Sequence, residues 1–115
     1  MVITRFSECK KYSPARHDVT IHAMYLQHKD TGSGAPFWVG CSYYLPGAKA
    51  EMSASSLYRV YVMLDGNLTI ELKDGSKAVI GKGDSVCIAP NEEREVRNET
   101  NAVATMLVVM PYPAA

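Results

Sequence analysis

PGAKAEMSASSLYRVYVMLDGN, residues 46–67, holds the signals from which the fold of this chain is read. Pro46-Gly47 closes whatever element precedes it, because proline fixes φ and glycine admits a reversal of the chain. A run of small residues, Met52-Ser53-Ala54-Ser55-Ser56, then leads into the β-forming segment Val60-Tyr61-Val62-Met63-Leu64. Asp65-Gly66 ends that segment with a dipeptide that favours a tight hairpin turn.

Downstream, the punctuation is regular. Asp65-Gly66 separates residues 60–64 from Leu68-Thr69-Ile70-Glu71-Leu72, which alternates apolar and polar. Asp74-Gly75 separates that strand from Lys77-Ala78-Val79-Ile80. Gly81-Lys82-Gly83-Asp84 turns the chain into 85–88, Pro90-Asn91 turns it again before a short strand at 95–97, and 105–110 is the last strand. Upstream, residues 19–27 and 37–45 read as strands joined by a glycine- and serine-containing loop. Both faces of 19–26 are largely apolar, as expected of a strand covered on two sides. Residues 1–18 are mixed and polar, with Pro14 breaking any helix, and are expected to form an arm or an edge strand.

Eight or more short strands at close spacing, with no sustained helical period, make this an all-β chain. Its 115 residues form one expected domain. Apolar residues at 47% and charged residues at 21% fit a globular protein. Twelve basic and twelve acidic side chains cancel, so no global field draws nucleic acid or an anionic membrane, and neither is an expected partner. No run is long enough to span a bilayer. Cys9, Cys41 and Cys87 are odd in number and far apart, which argues against a disulfide framework and for a cytoplasmic location. Periodicity leaves a jelly roll, a lipocalin-like barrel and an immunoglobulin-like sandwich open, although the last lacks its Cys-Trp-Cys pattern.

The spacing of residues 47–98 resembles the cupin frame G-x5-H-x-H-x3-E-x6-G followed by G-x5-P-x-G-x2-H-x3-N. Gly47, Gly66, Gly83 and Asn98 fall on their frame positions, and Pro90 lies one place from the expected proline. The resemblance implies a small single-domain cupin with a jelly-roll β-barrel, commonly a homodimer, and a ligand site inside the barrel. In typical cupins the two histidines and the glutamate of the first motif, with the histidine of the second, hold a divalent metal. Here those positions carry Ser53, Ser55, Arg59 and Arg94. A hydroxyl is a poor transition-metal ligand and a guanidinium has no lone pair to give, so no metal and no other cofactor is expected.

Two arginines aimed into a barrel need an anion. Glu51 or Glu95 could supply it internally, in a structural ion-pair cluster. Otherwise a ligand carboxylate or phosphate would be held by Arg59 and Arg94, with Ser53 and Ser55 adding hydrogen bonds. Arg59 could also face solvent, because a one-residue slip in register flips every side chain. Tyr61 shares Arg59's face at period two and is the leading cavity aromatic, while Trp38, Tyr43, Tyr44 and Tyr58 are candidates for pocket or core. Glu51, Tyr61 and His22 are candidate proton carriers should the site catalyse a lyase, isomerase or decarboxylase reaction. The expected function is a metal-independent cupin binding a small anionic metabolite. The alternatives are a ligand-free interaction protein and a metal-dependent enzyme with a non-standard site at His22 and Glu51.

Overall fold

Asp74-Gly75 makes the hairpin its chemistry favours, pairing residues 68–71 with 77–80. Asp65-Gly66, expected to make another, instead carries the chain from one sheet into the other. Gly66 takes φ +73°, and a side chain there would meet the Val103 carbonyl at 2.7 Å, so only glycine fits this turn. The computed structural model describes residues 1–13 and 19–114. Ten strands follow in chain order: β1 (Lys10–Tyr12), β2 (Ile21–Gln27), β3 (Phe37–Tyr44), β4 (Lys49–Ser53), β5 (Arg59–Asp65), β6 (Leu68–Leu72), β7 (Lys77–Ile80), β8 (Ser85–Ile88), β9 (Arg94–Arg97) and β10 (Ala104–Pro111). Two single-turn 3-10 helices, Phe6–Glu8 and Lys29–Thr31, complete the regular structure.

The strands form two antiparallel sheets. One has the order β1-β2-β3-β10-β5-β8 and the other β4-β9-β6-β7. Alternation then builds the core, because one face of each strand turns inward. Tyr44, Tyr61, Met63, Met106 and Ile88 from the first sheet meet Ala50, Leu68, Ile70 and Val96 from the second. Outward-facing Leu107, Val109, Val60 and Val62 remain half-buried on the far side of the six-stranded sheet. This is the jelly-roll barrel that the spacing of residues 47–98 implies.

A further expectation needs correction. The strand expected over 19–27 begins at Ile21, and Val19 is 88% exposed in a turn. The structure adds a strand that sequence did not indicate: Lys49–Ser53 is the edge strand β4, where a register shift between Ala50 and Ser53 marks a bulge. Cys87 is exposed on the edge strand β8, whereas Cys41 is buried. In the N-terminal stretch the structure shows β1 as an edge strand, while residues 14–18, including Pro14 and His17, lie outside the described residues.

Asn98 locks the end of β9 to the neighbouring loops. Its side-chain amide donates to the carbonyls of Tyr44 (2.9 Å) and Ala102 (2.8 Å), and its oxygen accepts from the Thr100 amide (3.0 Å) and hydroxyl (2.7 Å). The side chain is fully buried. Asn98→Ala therefore strands buried main-chain groups and is expected to lower the unfolding free energy by about 1–3 kcal/mol. Urea titration with an unchanged slope and a lower midpoint shows this; an unmoved midpoint contradicts it.

Candidate functional site

On the inner face of the six-stranded sheet, register sets side chains in rows. Trp38 pairs with Met110, Val109 pairs with Val60 and so brings Met110 beside Arg59, and Arg59 pairs with Ile88. The next row runs Gly40, Val108 and Tyr61. A third carries Ser42 and Met106. These rows floor a cavity of about 280 Å³, closed from the other sheet by Arg94 and flanked by Tyr12, Tyr44 and Ser55. Gly40 leaves the dent into which its neighbours fold: a side chain there would meet the Trp38 ring at 2.9 Å and the Tyr12 hydroxyl at 3.2 Å.

Arg94 stands on β9 and reaches across the barrel. Its Nε donates to the Tyr61 hydroxyl oxygen on β5 at 2.9 Å. Its Nη1 donates to the Glu51 carbonyl at 3.2 Å and to Ser53 Oγ at 3.3 Å. The β4 bulge falls at Glu51, between the paired residues Ala50 and Ser53, beside the carbonyl that Arg94 uses. Arg59 is equally enclosed, at 5% exposure against 7% for Arg94, but it is less well served. Its Nη2 donates to the Glu92 carbonyl at 3.1 Å, and its buried Nε has no hydrogen-bond partner. Among the described residues neither arginine pairs with a carboxylate. Burial pushes the Arg59 guanidinium below its usual value; the Tyr61 phenol opposes that, and the Arg94 charge adds to it. Burial pushes the Tyr44 phenol above its ordinary value, and does the same to Tyr12.

Of the residues singled out by sequence, Ser55, Arg59, Tyr61 and Arg94 line the cavity, together with Trp38 and Tyr44. Ser53 stands behind them as an acceptor for Arg94. Glu51 contributes its carbonyl, while its side chain is exposed. His22 on β2 and the Glu51 side chain on β4 are both exposed, and neither lines the cavity. Glu95 faces outward, where it and Glu71 bind Arg97, so it does not neutralise the cavity arginines. Tyr43 and Tyr58 lie outside the lining. Tyr12 was not legible as a site residue, because its place depends on the pairing of β1 with β2.

Asn91 explains a departure from the second motif. It stands where the frame has a glycine and takes φ +65°, a conformation asparagine tolerates better than most residues. The metal positions are a different matter. Two guanidiniums and two hydroxyls do not fit a divalent cation, and no cluster of three or more His, Cys, Asp or Glu occurs among the described residues. A second cleft, of about 310 Å³, opens between the edges of β7 and β8 over Ile70, Ile80, Val86 and Ile88. It has an apolar floor with Lys77 and Glu92 in its lining and no convergence of buried polar groups, so the barrel cavity is the better candidate.

The cupin-domain family profile matches residues 42–110. A Mycobacterium tuberculosis protein named beta-D-galactosidase Rv1717 is 40% identical over 116 aligned residues, covering 100% of this chain and 97% of that protein. Among solved structures, the polyketide cyclase RemF from Streptomyces resistomycificus superposes with a TM-score of 0.84 at 17% identity, over 96% of this chain and 79% of that one. An RmlC-like cupin from Shewanella frigidimarina gives 0.76 at 15% identity, over 97% and 90%. At these identities the structural likeness speaks for the fold.

Tyr61→Phe removes the acceptor of Arg94 Nε inside the barrel while keeping the ring. The expected cost is about 1–3 kcal/mol of stability, read by urea unfolding. Wild-type stability in this variant would show that Arg94 does not depend on the phenol.

Proposed function

The chain belongs to the cupin-domain family, and from that premise we propose that its barrel binds a small anionic molecule at Arg59 and Arg94 without a metal ion. The observation that carries this is Arg59. It is a guanidinium shut inside the barrel, with no carboxylate partner among the described residues and a buried Nε that donates to nothing. A buried charge left in that state costs several kcal/mol, and a ligand carboxylate or phosphate would offset the cost with charge-assisted hydrogen bonds. Trp38, Tyr12 and Met110 give the same cavity an apolar side for the body of the molecule.

The relative named a beta-D-galactosidase favours a sugar-like body as a second reading. Glycoside hydrolysis ordinarily places two carboxylates across the bond that breaks. No carboxylate side chain lines this cavity among the described residues. Glu92 instead uses its side chain to accept from the Ala89 amide at 3.1 Å. Sugar binding is therefore better supported than hydrolysis by a carboxylate pair. Should the site move a proton in a lyase or isomerase step, Tyr61 is the group placed to do so, since its oxygen is already held by Arg94 at the cavity wall.

Thermal unfolding in the presence of small carboxylates and phosphates tests the proposal. A ligand at about a hundredfold its dissociation constant adds about 2.7 kcal/mol, which for a domain of this size is roughly 10 °C. The expected result is a concentration-dependent rise that Arg59→Gln abolishes and a chelator leaves unchanged. A stoichiometric divalent metal whose removal abolishes binding would overturn the metal-free assignment.

A further inference from the structure

We infer that the ligand is a single ring carrying one carboxylate, seated with the carboxylate on Arg59 and the ring between Trp38 and β10. This rests on the anion-binding function proposed above and narrows it. The hydrogen-bonding needs of the two arginines differ. Arg94 already serves three neutral acceptors, the Tyr61 hydroxyl, the Glu51 carbonyl and Ser53 Oγ. Arg59 donates to the Glu92 carbonyl and interacts with the Tyr61 phenol, yet keeps its buried Nε unpartnered. The unmet demand is thus one edge of one planar guanidinium, which a two-oxygen planar group satisfies bidentately.

A phosphate monoester fits less well. Its third terminal oxygen needs donors of its own, and around Arg59 the row is completed by Met110 and Ile88. Val108 and Met106 extend the apolar wall. A phosphoryl oxygen turned toward the methionine and valine wall loses its water without a replacement, whereas one turned toward Ser55 meets a hydroxyl. No lysine lines the cavity among the described residues.

The ring follows from distance and shape. Trp38 lies two strand spacings from Arg59 in the same inward row, or roughly 10 Å between their backbones. The intervening strand contributes Met110, and the dent at Gly40 lies in the adjacent row. That span accommodates a carboxylate and one six-membered ring, whose face would lie against the Trp38 indole. Both an aromatic acid and a hexuronate carry this chemistry.

Trp38 is the chain's single tryptophan, so its emission reports directly on the cavity. The purified full chain is titrated with benzoate, a hexuronate, the uncharged benzamide and hexose counterparts, acetate, and a sugar phosphate. A saturable change in Trp38 emission with benzoate or the hexuronate is expected, and which of the two responds identifies the ring. The neutral counterparts and acetate are expected to bind at least tenfold more weakly. Arg59→Lys, which keeps the charge but loses the planar fork, is expected to weaken ring-carboxylate binding by roughly tenfold to a hundredfold. Gly40→Ala, whose added methyl would crowd the Trp38 ring and the Tyr12 hydroxyl in the cavity lining, is an independent variant expected to weaken binding. Tighter binding of the sugar phosphate or of acetate overturns the ring-carboxylate class while leaving the anion site standing. Saturation by the neutral counterparts equal to that of the acids, or no response to any anion, overturns both.

Discussion

Arg94 reaches from β9 in one sheet to Tyr61 on β5 in the other, and this 2.9 Å hydrogen bond joins the two layers across the barrel. A guanidinium cannot be moved into an apolar interior unless its donors are met. That requirement organises what surrounds it: the bulge in β4 at Glu51, the inward Ser53, and the phenol held in the core. The same requirement is only half met at Arg59, one strand position from the layer-joining contact. Hydrogen bonding is therefore more complete at Arg94 than at Arg59.

Much of the fold was legible because the turn chemistry is local. Asp74-Gly75 fixed the β6-β7 hairpin, and the strands at 68–72 and 77–80 occupy the residues expected of them. Asp65-Gly66 marked a true turn, but local chemistry could not show that it crosses between sheets instead of closing a hairpin. The small residues of β4 were not legible as a strand, since Lys49–Ser53 has weak intrinsic preference and is held by its pairing with β9. Nor could sequence show which way Glu51 faces, because a bulge breaks the alternation on which such an inference rests. Arg59 and Tyr61 could be placed together by period two along one strand. The approach of Trp38 and Tyr12 over Gly40 depends on three strands meeting, although an isolated glycine within FWVGCSYY is the kind of signal that marks a close contact.

The frame positions that hold a metal in typical cupins here form a polar cluster with the opposite electrostatic sense. A cation site gathers lone pairs; this one gathers N–H donors. The exchange keeps the Arg59 and Arg94 side chains inward and, on the binding function proposed above, reverses the charge of the ligand the site would take. Aromatic and methionine side chains on the remaining walls give the site an apolar half, so recognition would combine one strong directional contact with a shaped surface. Tyr61, bonded to the Arg94 guanidinium, places a proton at the boundary between the polar and apolar walls.

The central claim is that Arg59 Nε is reserved for an anion from outside the chain. A high-resolution crystal structure of the protein soaked with its best-binding carboxylate tests it most directly. The account predicts two carboxylate oxygens within hydrogen-bond distance of the Arg59 guanidinium, one of them on Nε, with the Arg94–Tyr61 contact intact. A carboxylate of the chain itself closed onto Arg59 Nε, with the soaked acid elsewhere or absent, would contradict it.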